Sequence, residues 1–260
     1  MAAWTLAVAG KGGTGKTTIC GMLIDWLCKN GKGPVLAVDA DANSNLNEVL
    51  GVEVEHTLGE IRELIASADN AEVSPIPASM SKKEFMDAKF HTALIEEDDY
   101  DMLVMGRTQG KGCYCFVNDL LSAELRKLRD SYKYMIVDNE AGMEHISRGV
   151  LPSVNCIVLV SDCSRRGIQA VGRIAELVKE IDLGTDHVYL IVNRAPGGVL
   201  NEGVKEEIAN QGLDLIGIVP HDENVYEYDS EGRATAKLPD DSPARAAVNE
   251  IAEKLFEYKK

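Results

Sequence analysis

The chain has 260 residues and a formal net charge of −15, which argues against proteins that hold DNA or RNA through arrays of lysine and arginine. Its apolar fraction of 45 % and charged fraction of 27 % are those of an ordinary globular protein, and no run approaches the roughly 18 apolar residues that a membrane span requires. The length suits one domain over 1–260. The opening MAAWTLAVAG carries no basic leader and runs straight into a glycine loop, so a cytoplasmic protein is expected. In that compartment the six cysteines (Cys20, Cys28, Cys113, Cys115, Cys156 and Cys163) are expected to be reduced. A close cysteine pair there reads first as metal-binding or redox-active.

In chain order, short apolar runs bounded by turn residues alternate with amphipathic segments. That pattern predicts an α/β fold with a mostly parallel central sheet and helices on both faces. A strand at Thr5–Ala9 leads through glycines into a helix over Thr17–Lys29, and a second strand follows at Val35–Val38. The stretch 67–100 is the least readable, because Pro75 and Pro77 interrupt any long element; the acidic run Glu96–Asp99 reads as a solvated turn. Beyond it come a strand at Met102–Met105, a helix at Phe116–Arg129, strands at Tyr134–Val137 and Cys156–Val160, and a helix at Gly167–Ile181. A strand at Val188–Val192, a helix at Glu202–Asn210 and a strand at Leu215–Val219 complete the sheet. In the last helix, Pro243–Tyr258, one face carries Val248, Ile251, Ala252 and Leu255. Glu250, Glu253 and Glu257 would be repelled by anionic lipid, so that face is expected to cover the sheet and not a membrane.

Gly10–Lys11–Gly12–Gly13–Thr14–Gly15–Lys16–Thr17–Thr18 follows a strand and opens a helix, the context in which GxxxxGK[ST] is a phosphate loop. Its glycines let successive backbone N–H groups turn inward around phosphates, and the helix start adds positive dipole. Lys16 is expected to reach the β- and γ-phosphates and Thr17 to ligate Mg²⁺. Carboxylates are then needed where neighbouring strands end. Asp39 and Asp41 close the second strand, and Asp138 closes a later one with Gly142 four residues on. A guanine reader of the NKxD type needs a carboxylate two residues after its lysine, whereas the corresponding strand here ends Asn193–Arg194–Ala195–Pro196; ATP is therefore expected over GTP.

Lys11 within KGGTGKTT, the Asp39/Asp41 pair and DNEAG over Asp138–Gly142 resemble the MinD/ParA/nitrogenase-iron-protein class of dimerising, deviant Walker A ATPases across nearly the whole chain. The resemblance implies that Lys11 crosses a nucleotide-sandwich homodimer to the partner's phosphates and joins Lys16 and Asp41 in catalysis. It implies that Asp41 orients the attacking water, that Asp39 and Asp138 support Mg²⁺, and that Gly12, Gly13, Thr14, Gly15, Thr17 and Thr18 cradle ATP or ADP. Thr18 would contact the α-phosphate, and Asn193, Arg194, Pro220 and Asp222 would border the adenine.

Gly112–Cys113–Tyr114–Cys115 sets the chain apart within that class. Two thiols one residue apart are either incidental core cysteines or half of a tetrahedral thiolate site, and a two-fold dimer would supply the other half for Ni²⁺ or Zn²⁺. The combination resembles the CooC-type CO dehydrogenase maturation ATPases, and equally the acetyl-CoA synthase maturation factors. Either resemblance implies ATP-dependent nickel delivery to a client enzyme. An iron–sulfur electron carrier is a poorer match, because Asn139–His145 holds no cysteine. A positioning ATPase acting on DNA or membrane fits neither the charge nor the CxC. Cys20, Cys28 and Cys156 read as small apolar packing, Cys163 as a residue near the nucleotide, and His145 and His221 as ordinary hydrogen-bonding groups.

Overall fold

A computed structural model of the protein describes residues 2–68, 74–107, 115–140, 153–181 and 184–257. Its strands are β1 (Trp4–Gly10), β2 (Val35–Ala40), β3 (Ile95–Glu96), β4 (Tyr100–Val104), β5 (Tyr134–Asn139), β6 (Cys156–Asp162), β7 (His187–Ala195) and β8 (Asp214–Pro220). They form one eight-stranded sheet in the order β3-β4-β2-β5-β1-β6-β7-β8. Every neighbouring pair is parallel except β3 with β4, which pair antiparallel at one edge.

The helices are α1 (Lys16–Lys29), α2 (Leu46–Leu50), α3 (Leu58–Ala68), α4 (Lys82–Ala93), α5 (Cys115–Leu128), α6 (Arg165–Ile181), α7 (Glu202–Asn210), α8 (Glu223–Ser230) and α9 (Pro243–Glu257). A sheet covered on both faces needs strands that are apolar on both sides, and side chains alternate accordingly. Ala7, Ala9, Leu36 and Val38 enter one core with Leu58 of α3, Phe90 of α4 and Val171 of α6. Leu6, Val8, Val35 and Ala37 enter the other with Leu23 of α1 and Val248 of α9. The predicted architecture is the observed one.

Differences concentrate in the stretch that resisted reading. It holds α4, whose Ser81 accepts the backbone N–H of Glu84 at 3.2 Å while the Glu84 carboxylate accepts the N–H of Ser81 at 2.8 Å, a complete capping box. The acidic run is divided: Glu96 belongs to β3, and Glu97–Asp99 form the exposed turn into β4. Helix α3 and the short helices α2 and α8 were not foreseen either. The strand expected at Met102–Met105 starts two residues earlier, at Tyr100.

In α9, Val248, Ile251, Ala252 and Leu255 are buried, as the spacing predicted. Arg245 on the same helix is 1 % exposed. Its guanidinium donates to the Ala236 carbonyl at 2.8 Å and pairs with Asp25 of α1, tying the C-terminal helix to the helix that carries the phosphate loop. No helix among the described residues is long and apolar enough to cross a membrane.

Candidate functional site

The central strand β1 ends in the glycine loop, so the loop sits at the carboxyl edge of the sheet with β5 on one side and β6 on the other. Glycine is required there twice over. Gly10, Gly13 and Gly15 have φ of +148°, +78° and +89°, which L side chains rarely adopt. A Cβ on Gly10 would also lie 2.2 Å from the Val160 carbonyl oxygen of β6.

The loop is fixed from inside and outside. Thr14 donates its hydroxyl to the Lys11 carbonyl at 2.9 Å, and Lys16 Nζ donates to the same oxygen at 3.4 Å. From the end of β7, Asn193 Nδ2 donates to the Thr14 carbonyl at 2.8 Å and the Arg194 guanidinium to the Gly13 carbonyl at 3.1 Å. Arg194 itself takes a positive φ of 57° to make this reach. Lys11 is exposed while Lys16 is buried.

Opposite the loop lie the strand-end carboxylates. Asp39 and Asp138 are register partners on adjacent strands and are both buried. Burial pushes the Asp39 carboxyl up to about 6, despite N–H groups donated by Leu46 and Asp41 at 3.0 Å each. Burial likewise raises Asp138 to about 7; the Thr17 hydroxyl it accepts works the other way, and the nearby Asp39 charge adds to the rise. Asp138 Oδ1 is buried with no hydrogen-bond partner among the described residues. A hydroxyl and two desolvated carboxylates, one with an orphaned oxygen, form a hard donor set that fits Mg²⁺.

Two adjoining spaces open from here. A cleft of about 910 Å³ is lined by Gly12, Gly13, Gly15, Lys16, Thr17, Thr18 and Asp41. Beside it, a pocket of about 340 Å³ is lined by Thr18, Asn193, Arg194, Pro220 and Asp222. The Asp222 carboxylate is already engaged, capping α8 through the Asn224 N–H at 2.9 Å and accepting the Ser242 hydroxyl at 2.5 Å and the Ala244 N–H at 3.0 Å. It shapes the pocket and has little acceptor capacity left for a ligand.

Among the cleft residues that escaped the sequence reading are Glu140, Arg233 and Asn43. Glu140 was visible only as part of DNEAG. Arg233, its guanidinium 3.5 Å over the Tyr228 ring, and Asn43 sit in loops whose sequence announces nothing. Gly142, Cys113 and His145 lie outside the described residues, and of Cys115 only its place as the first residue of α5 is described. Among the described residues no group of three or more His, Cys, Asp or Glu is arranged to hold a metal ion. Cys20 and Cys156 are buried as expected, whereas Cys28 is only partly so. Cys163 Sγ lies 3.7 Å from the Arg194 carbonyl, at the flank of the site, and His221 pairs with Glu223 at 3.2 Å.

The comparisons agree with this geometry. The family model of the CobQ/CobB/MinD/ParA nucleotide-binding domain matches residues 5–236. The chain is 39 % identical to an uncharacterized ATP-binding protein of Methanocaldococcus jannaschii, over 98 % of this chain and 99 % of that one. It is 30 % identical to the carbon monoxide dehydrogenase accessory protein CooC of Rhodospirillum rubrum, over 92 % and 90 % of the two chains. The structure of the septum site-determining protein MinD of Pyrococcus horikoshii, complexed with Mg-ADP, superposes with a TM-score of 0.73 at 22 % identity, covering 98 % of this chain and 96 % of that one. The phosphate loop, the paired strand-end aspartates and the match along nine-tenths of the sequence make this chain an ATPase of the CobQ/CobB/MinD/ParA nucleotide-binding family.

Proposed function

We propose that the protein is a metallochaperone ATPase that loads nickel into a client of the CO dehydrogenase or acetyl-CoA synthase type. The observation that carries the reading is the Cys113/Cys115 pair in a chain 30 % identical to CooC over 92 % of its length. Two copies close around two ATP molecules, and the four thiolates of the pair enclose one Ni²⁺ or Zn²⁺ ion as cargo. ATP and metal then favour the same closed state, so each strengthens binding of the other.

Within one subunit, the loop from Gly12 to Gly15 holds the phosphates by backbone N–H groups, Lys16 leaves the Lys11 carbonyl for the β- and γ-phosphates, and Thr18 reaches the α-phosphate. The exposed Lys11 supplies a second cation to the partner's nucleotide, a role like that of an arginine finger. Mg²⁺, held by Thr17 with Asp39 and Asp138 behind it, would neutralise charge building on the phosphate oxygens. Asp41 positions the attacking water from the cleft wall. Asn193, Arg194 and Pro220 border the adenine from the adjoining pocket. Hydrolysis is slow because it waits on closure, and the reopened dimer releases its metal.

Sizing the protein with and without a nonhydrolysable ATP analogue and Ni²⁺ or Zn²⁺, with metal content read on the same fractions, tests this. Either ligand should shift the protein toward dimer, with one metal ion per dimer. Metal-dependent dimerisation that survives Cys113→Ala with Cys115→Ala would sink the reading.

A further inference from the structure

The loop after β2 carries Asp41, and it is braced from outside the nucleotide cleft. Asp41 Oδ1 accepts the Asn43 backbone N–H at 2.8 Å, and the Asp41 carbonyl accepts the Ser44 N–H at 3.1 Å, with Ser44 at a φ of +51°. The turn thus aims the Asp41 carboxylate through residue 43. Asn43 itself lines the cleft, and its side-chain Oδ1 accepts a hydrogen bond from the Arg107 guanidinium.

Arg107 projects from a backbone that cannot easily shift. Met105 N–H donates to the Asp39 carbonyl at 2.9 Å, and the Met105 carbonyl accepts the Gly59 N–H at 2.8 Å. Gly106 has φ +68° and packs so closely on Thr57 that a Cβ would fall 2.5 Å from it, while a Cβ on Gly59 would fall 2.6 Å from the Arg107 carbonyl oxygen. Residues 105–107 are therefore clamped between the end of β2 and the start of α3. The guanidinium reaches out from that clamp to the side chain of Asn43, the residue whose backbone N–H holds the Asp41 carboxylate.

We infer that Arg107 is a positioning residue for ATP hydrolysis, fixing the Asp41 turn through Asn43. This rests on the reading of Asp41 as the group that orients the attacking water. Arg107 is not among the residues lining the cleft, so its removal leaves ground-state nucleotide binding alone and loosens the carboxylate that acts in the transition state. A charge-assisted hydrogen bond at an exposed site sets the scale, and misplacement of an orienting group is costly, so kcat should fall about tenfold.

The test is steady-state and single-turnover ATPase kinetics on the full chain carrying Arg107→Ala, Arg107→Lys, Asn43→Ala, the double alanine variant, and Asp41→Ala. Arg107→Ala and Asn43→Ala should each lower kcat about tenfold, and Arg107→Ala, outside the cleft, should keep the KM for ATP within about twofold. The double variant should be no worse than either single, because both break one contact. Arg107→Lys, which keeps the charge, should recover part of the loss. Should Arg107→Ala fold poorly, Asn43→Ala carries the same test. An Asp41→Ala variant that still hydrolyses ATP would refute the role of Asp41 itself. Loss of hydrolysis with Asp41→Ala, while Arg107→Ala and Asn43→Ala keep kcat within twofold of the parent or lose activity additively, would overturn the positioning role alone.

Discussion

The side-chain amide of Asn193 donates to the carbonyl of Thr14 at 2.8 Å across 179 residues of sequence, so the end of β7 holds the phosphate loop by its own backbone. Gly15 makes room for this contact, since a Cβ there would sit 2.3 Å from Asn193 Nδ2. Asn193→Ala should raise the KM for ATP about tenfold while costing folding stability only about 1 kcal/mol. Asn193→Asp should be worse, because its carboxylate faces a carbonyl oxygen. Nucleotide titration by calorimetry, with a urea melt of each variant, separates the two effects. An unchanged affinity in Asn193→Ala would show that the loop holds its shape unaided.

The raised carboxyls of Asp39 and Asp138, at about 6 and about 7, make a signed statement about the metal-free protein. An unfolded aspartate loses its proton near pH 4, whereas these two keep theirs in the folded chain until higher pH. Folding therefore binds protons in that interval, and their contribution to stability declines as pH rises from about 4 to about 7. Asp138→Asn removes the larger part of this decline. In EDTA the melting temperature of the variant minus that of the parent should grow between pH 5 and pH 8, to about 3 °C or more. The same variant should lose ATP hydrolysis. A difference that stays flat with pH would mean that Asp138 is ionised in the apo fold.

Much of this site was legible because its chemistry tolerates few residue types. Only glycine suits positions with φ of +78° and +89°, and phosphate chemistry demands Lys16, Thr17 and the strand-end aspartates near one another, so loop and carboxylates were readable together. The strands other than β3 were readable as well, since burial on both faces leaves unbroken apolar runs, which the short edge strand β3 lacks. Helix α4 was harder, because among its buried positions are only Phe85, Phe90 and Ala93, too sparse a stripe to stand out. Its capping box was present in Ser81 and Glu84 but lay behind two prolines. The contact of Arg107 with Asn43 joins two loops 64 residues apart, and no periodicity records such a meeting. The adjoining pocket was reached through family resemblance, which gave its lining but not the engaged state of the Asp222 carboxylate.

Thiol chemistry should divide the cysteines. Burial raises Cys20 well above its ordinary value, with the Asp138 and Asp39 charges adding to the effect. Burial, then Asp99 and Asp25, pushes Cys28 up to about 12. At pH 8 only about one Cys28 in ten thousand would be a thiolate, the form that alkylates or binds metal. Iodoacetamide treatment of the native protein at pH 8 followed by peptide mass spectrometry should therefore leave Cys20 and Cys28 unmodified. Cys28→Ser should leave nickel or zinc stoichiometry unchanged. Rapid labelling of Cys28 would contradict the burial and charge argued for it.

The buried ion pair between Arg245 and Asp25 bears on stability and on the nucleotide helix together. Arg245 is 1 % exposed and Asp25 16 %, so the guanidinium has lost its water and relies on Asp25 and on the Ala236 carbonyl at 2.8 Å. Removing Asp25 leaves the desolvated guanidinium with only the exposed Asp240 as counter-charge, at 3.8 Å, whereas Asp25 without Arg245 keeps Lys29 at 3.2 Å. Asp25→Ala should therefore destabilise the fold by about 3 kcal/mol. Arg245→Ala should cost a similar amount, through the cavity it opens as well as the lost pairing. Replacing both together, as Arg245→Met with Asp25→Leu, removes the charges while keeping apolar volume, and should recover most of that loss. Because α1 begins at Lys16, a loosened α1 would also weaken ATP binding, whereas the apolar pair would restore it. Denaturant melts of the three proteins, read beside their ATP affinities, decide the matter. A double variant as unstable as Asp25→Ala would show that the guanidinium serves by its hydrogen bonds to backbone and not by its charge.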